Sequence, residues 1–331
     1  MSGSTTPDIT IFIRARNEAA LLGECLKTIF AQETSHSFEV VLLDCESTDR
    51  TVEIAKEYPV KIYSIPSRLF SYSSALNFGA TVARGNLFVP LSAHVVPADN
   101  HWLQELVEPV AKGEVAASFS RQVPWPTAAP QEQASIAKSY PETDKIVTRE
   151  SFCKEVALGT SAYNEIAFSN ASSCILSEHI ENIGFLEMPF SEDRAFAVAL
   201  LQGRLSYKYC SRSVCYHSHP PSFREYRSIA KAATLSQNYL ERMIASALSV
   251  SVAESSQGVA ELLFKLIVIS GWGAFAYALS RLGVIAKESG DFYLASIGTT
   301  LGKFEAAVSA PLANMERAST EVIEREVKEL S

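Results

Sequence analysis

Four short apolar runs within the first hundred residues constrain this chain most. Residues 8–14 (Asp-Ile-Thr-Ile-Phe-Ile-Arg), 38–43, 60–65 and 87–91 are rich in Val, Ile, Leu and Phe, and each reads as a buried strand. Between them the apolar residues take helical spacing. Leu21, Leu22, Cys25, Leu26, Ile29 and Phe30 share one face after Asn17-Glu18. Val52, Ile54 and Ala55 follow Ser47-Thr48-Asp49, which supplies N-cap chemistry. A third helix, capped by Ser73 or Ser74, ends near Gly85 as a C-terminal glycine, and a fourth, capped by Asp99, buries Trp102, Leu103, Leu106, Val107 and Val110. Strands alternating with helices at this spacing predict an α/β fold, a mostly parallel sheet covered on both faces.

In such a sheet ligands bind where the strands end. The first strand ends in Arg14-Ala15-Arg16-Asn17-Glu18, the second at Asp44, and the fourth at Ser92-Ala93-His94. Two later features are placed to meet them. Glu192-Asp193 opens a helix closed by Gly203, and His217 ends another strand, with His219 on the same side if that strand continues. A carboxylate that takes a proton, with histidines that hold a metal or a diphosphate, points to group transfer from a phosphate-bearing donor.

The formal net charge of −8 excludes a general nucleic-acid-binding role, which needs a basic footprint. A phosphate ligand must then be met locally, by a few arginines, backbone N–H groups or a metal. The six cysteines are scattered without a Cys-x-x-Cys pair, and read as reduced core thiols of a cytoplasmic protein. Residues 1–7 have neither the basic start nor the apolar core of a signal peptide. Pro124, Pro126 and Pro130 introduce a weakly patterned stretch to about residue 161 that reads as an insertion or mobile loop.

Beyond residue 221 the composition turns helical. The division is therefore a domain over residues 1–221 and a helical C-terminal extension over 222–331. Between Lys265 and Arg281 lie fifteen uncharged residues, short of the roughly 20 that span a bilayer. This segment suits a dimer-forming helix, or one lying peripherally at the inner face of a membrane. Residues 321–330, rich in Glu, Arg and Lys, predict a solvated terminal helix.

The order of motifs resembles the family-2 glycosyltransferases of the GT-A fold, over roughly the first two-thirds of the chain. Ile9-Thr-Ile-Phe-Ile-Arg-Ala-Arg-Asn-Glu18 is similar to the family's first strand and turn, and Asp44 followed by Ser47-Thr48-Asp49 to its second. Ala75-Leu-Asn77-Phe-Gly79 with Ala83-Arg-Gly85 resembles the helix before the central strand, and Glu192-Asp193 with His217 the acid/base motif and late histidine. One departure is plain: Ser92-Ala93-His94 stands where the family usually has an Asp-x-Asp motif. A rhamnosyltransferase-like branch carries Ser-Ala-His there.

The resemblance implies an inverting transfer from a nucleotide-sugar donor to a hydroxyl of a glycan, polysaccharide or glycolipid. Asp193 would be the base, with Glu192 beside it touching donor sugar or acceptor. Arg14, Ala15, Arg16, Glu18, Asp44, Asn77, Ser92, Ala93, His94 and Asn170 would bind the donor. Asp44 would accept the ring N–H of the base, and Asn170 would hydrogen-bond a sugar hydroxyl. His94 and His217 would hold a divalent metal, Mn²⁺ or Mg²⁺, or the diphosphate itself. Trp125 is a platform for an acceptor sugar, or packs. The rival reading is a non-catalytic nucleotide-sugar-binding protein with a degenerate metal motif.

Overall fold

The structure is a computed structural model that describes residues 6–128, 130–218 and 223–249, together with 301, 303 and 328–330. The elements run β1 (Ile9–Ala15), α1 (Leu22–Phe30), β2 (Phe38–Asp44), α2 (Thr51–Ala55), β3 (Val60–Ser64), α3 (Tyr72–Val82), β4 (Leu87–Ser92), β5 (Val96–Pro97) and α4 (Trp102–Ala111). They continue with β6 (Ala117–Val123), α5 (Pro130–Ser139), β7 (Lys145–Val147), α6 (Arg149–Ala157), α7 (Ala162–Glu165), β8 (Ser173–Leu176), α8 (Ser177–Ile183), α9 (Glu192–Gln202), β9 (Tyr207–Tyr216), α10 (Phe223–Leu248) and β10 (Lys328–Leu330).

One sheet takes all the described strands, in the order β10-β3-β2-β1-β4-β8-β6-β9-β5, with β7 on β9. Strands β3, β2, β1 and β4 are parallel, β8 is antiparallel to both β4 and β6, and β6 runs parallel to β9. Every residue of β1 is buried, because its side chains alternate between two cores. Ile9, Ile11 and Ile13 face α1 and α4, packing with Leu26, Ile29, Trp102 and Leu106. Phe12 faces the opposite layer, with Phe78 of α3, Phe88 of β4 and Phe196 of α9. This is the predicted α/β sheet covered on both faces.

Several local expectations are corrected. The α3 cap is Ser71, whose side chain accepts the Ser74 N–H in a capping box, so Ser73 and Ser74 lie inside the helix. Gly85 is not a left-handed helix terminus. A Cβ there would lie 2.6 Å from the backbone of Ile9 and Thr10, so this glycine lets the start of β4 approach β1. Residues 124–161 are not a loose insertion, for they contain α5, β7 and α6, and β7 joins the sheet edge at β9. At the far end, residues 328–330 are strand rather than helix. They pair antiparallel with β3, Leu330 opposite Ile62, and satisfy an edge that β3 would otherwise leave open.

Helix α10 packs Leu240, Ile244 and Leu248 into the same core as α9, and its Ser236 Oγ accepts the Phe190 N–H at 3.1 Å. The apolar segment at 262–286 lies outside the described residues. Among the described residues, no helix is long and apolar enough to cross a membrane.

Gly85→Ala should cost about 1–3 kcal/mol of stability, because the added methyl meets main chain that cannot rotate away. Denaturant unfolding of the variant beside wild type measures it.

Candidate functional site

Parallel register brings three strand ends together. Ala15 lies opposite Asp44 on β2, and Arg14 lies opposite Ser92 on β4. The loop after β1 is then stitched to the segment after β2. Asn17, left-handed at φ +56°, accepts the Thr48 N–H on its Oδ1 at 2.8 Å, and Ser47 Oγ accepts the Asn17 N–H at 2.9 Å. Thr51 Oγ1 accepts from Glu18 N at 2.8 Å and Asp49 Oδ2 from Ala19 N at 3.1 Å. Ser47-Thr48-Asp49 therefore secures this loop, and α2 has no side-chain cap at its first position, Arg50.

The loop so held aims Glu18 at the turn after β4. Glu18 Oε1 lies 2.8 Å from His94 Nδ1, and the His94 ring lies beside that of His217, centroids 5.2 Å apart. His217 Nδ1 lies 2.6 Å from Gln122 Oε1. A carboxylate and an amide oxygen only accept, so each Nδ1 carries the proton of its hydrogen bond and each Nε2 edge is turned away from that partner. Imidazoles that ligate metals are oriented in this way from behind. Among the described residues no three His, Cys, Asp or Glu side chains gather to hold an ion. The pair fits an ion shared with a diphosphate, not one that the protein holds alone. His219 lies outside the described residues.

Asp44 is buried at the end of β2. Its Oδ2 accepts the Ser47 N–H at 3.2 Å, while Oδ1 is buried with no hydrogen-bond partner. An acceptor in that state is free to take an N–H. Arg16 is exposed on the same rim, whereas Arg14 turns inward. The Arg14 Nη2 donates to the Asn170 carbonyl at 2.7 Å, across the sheet, and lies 3.5 Å from Ser92 Oγ. Expected as a phosphate-pairing group, Arg14 is instead a buried tie between β1 and the loop before β8.

Asn170 is a hub of that loop. Its N–H donates to Asp193 Oδ2 at 3.3 Å and its Oδ1 accepts from Ser173 Oγ at 3.0 Å. This positioning role uses its N–H and Oδ1, while Nδ2 is buried with no hydrogen-bond partner. The expectation for Asn77 is corrected. It is buried on α3 with its side chain bonded to both the N–H and the carbonyl of Phe185, at 2.8 and 3.0 Å, so it clamps backbone and does not reach a donor. Trp125 lies with its ring 4.8 Å from that of Tyr216 at 15°, packed against β9.

Glu192 and Asp193 open α9 directly after Ser191, whose φ of +68° is a strained, left-handed conformation for a serine. Glu192 is buried. Burial, then the charge of Asp193, push its carboxyl up to about 8, against the pull of the Arg14 guanidinium and the Asn170 amide. Asp193 is partly buried and is also raised by burial, opposed by Arg194 and by the N–H groups of Arg194 and Asn170. Sequence reading missed Gln122, Ser191 and Asn170's hub role. Gln122 and His217 are 95 residues apart, and only the sheet joins them.

The chain is similar to known proteins over part of its length. Residues 10–152 match glycosyl transferase family 2. The chain is 30% identical over 125 residues to 4,4'-diaponeurosporenoate glycosyltransferase of Staphylococcus haemolyticus, covering 36% of this chain and 33% of that protein. It is 23% identical over 216 residues to the O-antigen chain rhamnosyltransferase WbaN of Salmonella anatum, covering 64% of this chain and 67% of that one. The match to the first of these spans about a third of the relative's length. Two solved structures share the fold. TarS 1–349 of S. aureus in complex with UDP-GlcNAc has a TM-score of 0.52 at 14% identity, over 91% of this chain and 90% of that one. The mannosyltransferase PcManGT of Pyrobaculum calidifontis in complex with GDP-Man and Mn²⁺ has 0.51 at 17%, over 88% and 87%. Over residues 10–152 the chain is therefore similar to family-2 glycosyltransferases, and it shares the GT-A fold of these solved structures.

Between the ordinary carboxyl value of 4.5 and about 8, folded Glu192 keeps a proton that the unfolded chain releases. The folded state then binds more protons, so this group's contribution to stability falls as pH rises through that window. Glu192→Gln should flatten the fall, gaining on wild type at about pH 8 relative to about pH 5 in denaturant titrations. An equal slope in both proteins would remove the buried, proton-holding Glu192 from the account.

Proposed function

We propose that this protein is an inverting glycosyltransferase. It moves one sugar from a nucleotide-diphosphate donor to a hydroxyl of a saccharide or lipid-linked acceptor. The observation that carries the reading is the buried, unpartnered Asp44 Oδ1 in register with the ends of β1 and β4. A buried charged oxygen without a donor costs several kcal/mol unless a ligand satisfies it, and the imide N–H of a uracil, thymine or guanine ring does so. Support also comes from the nucleotide sugars carried by the two solved proteins that share the fold.

The residues divide the work. Asp44 takes the base, and exposed Arg16 faces the phosphates. His94 and His217, aimed by Glu18 and Gln122, face the diphosphate, where negative charge grows as the sugar leaves and where fixed groups contribute most. A divalent ion, held by the two imidazoles together with donor oxygens, would neutralise part of that charge. Asp193 accepts the proton of the acceptor hydroxyl while its oxygen bonds to the anomeric carbon and the carbon–diphosphate bond breaks. A carboxylate raised by burial is the stronger base for that task. One displacement from the face opposite the leaving group inverts the anomeric centre. Glu192 keeps its proton further towards neutral pH and donates a hydrogen bond to a sugar hydroxyl.

Calorimetric titration with UDP-, GDP- and dTDP-sugars, with and without Mn²⁺, tests the reading. One nucleotide should bind, and Asp44→Ala should weaken it by about tenfold or more, the worth of a charged hydrogen bond. His94→Ala should abolish the benefit of Mn²⁺. Asp193→Asn should bind donor normally and lose about 10²–10⁴ in transfer rate. Failure of all three nucleotides to bind would sink the proposal.

A further inference from the structure

A cavity of about 670 Å³ lies between α5, β7, α7 and the outer strands of the sheet. That volume is within the range of small-ligand sites, about 300–1,000 Å³. Two of its lining residues tie it to the reaction centre. Arg194 follows Asp193 on α9, and Ser169 precedes Asn170, whose N–H holds the Asp193 carboxylate. The cavity is thus a step away from Asp193, on the far side from the end of β2 where Asp44 waits for a base.

Its walls are of two kinds. Tyr140 and Tyr209, with ring centroids 6.3 Å apart, belong to the aromatic side, and Tyr209 is fixed by its hydroxyl donating to the Pro141 carbonyl at 2.6 Å. Aromatic faces suit the C–H faces of a pyranose. The lining is also cationic. Lys138, Lys145 and Arg194 stand in it against one carboxylate, Glu165, in a chain whose net charge is −8. Glu165 pairs with Lys145 at 2.7 Å. The Arg194 guanidinium stacks 4.3 Å over the Tyr163 ring and donates to the Tyr163 carbonyl, so it is already positioned. A local reversal of sign around a cavity attracts anions to it.

We propose that this cavity is the acceptor subsite and that it takes a saccharide bearing an oxyanion, a phosphate or a carboxylate. The inference rests on the glycosyl-transfer reading and adds the class of acceptor. Trp125, packed on Tyr216, does not line this cavity.

The test is titration of the whole protein with glucose, glucose 1-phosphate and glucuronate by saturation-transfer NMR, with UDP-, GDP- and dTDP-sugars titrated in parallel. At least one charged probe should bind about tenfold more tightly than glucose, the worth of one or two charge contacts. Lys138→Glu combined with Lys145→Glu should erase that preference and leave nucleotide-sugar affinity unchanged. Both lysines are exposed, so the variant should fold. Preference for glucose 1-phosphate indicates a phosphate-bearing acceptor such as a lipid-linked sugar, and preference for glucuronate an acidic glycan. Equal binding of glucose and both charged probes, or a preference that survives the double substitution, would overturn the inference while donor binding stands. Binding of anions without binding of any nucleotide sugar would instead overturn the glycosyl-transfer reading, and the acceptor role with it.

Discussion

A single buried guanidinium holds the two halves of this site together. Arg14 leaves the end of β1, crosses beneath the turn after β4, and donates to the carbonyl of Asn170 in the loop before β8. The N–H of that same Asn170 holds Asp193. The end of β1 is therefore joined through one residue to the group proposed as base. The positive charge also lies close enough to moderate the rise that burial imposes on Glu192 and Asp193. Removing Arg14 would take away both the tie and the counter-charge.

Around that tie, polar groups divide into those that are satisfied and those that are not. Asn77 is bonded to Phe185 on both sides of its amide, and the indole of Trp102 donates to Ser120 and Ser172 in a buried hydroxyl cluster that Ser213 completes. Such networks specify packing when every member is paired. Asp44 Oδ1 breaks the pattern where the strands end. Arg14 Nε and Asn170 Nδ2 are likewise buried without partners, so unsatisfied polar atoms gather on the residues that join the strand ends, and Asp44 Oδ1 is the carboxylate acceptor among them.

Much of the fold was legible before the structure. The runs in β1, β2, β3 and β4 are short, apolar and separated by helical spacing, and this local pattern suffices for a buried parallel sheet. The motif order placed Asp44, His94, Glu192-Asp193 and His217 at element ends, where they are found. What failed were the assignments that depend on a distant neighbour. Asn77 looked like a donor contact because it sits in a recognisable motif, and its partner Phe185 is 108 residues away. Gly85 looked like a helix terminus because local sequence cannot show the backbone of β1 crossing within 2.6 Å of its missing Cβ. Residues 328–330 looked helical because charge pattern carries no trace of the open edge of β3.

Sequence alone therefore determined the α/β class, the strand ends where chemistry gathers, and the residue types able to perform it, because these follow from short-range periodicity and from side-chain chemistry. Tertiary structure decided which of those residues are tied into the interior and which gather at the strand ends. Arg14 and Asn170 became a tie, Asn77 a clamp and Trp125 a packed ring, while His94 and His217, 123 positions apart in the sequence, became one pair. The reason is that a polar group's role is set by whether its hydrogen bonds are already made, and those partners arrive through the sheet from the far side of the chain.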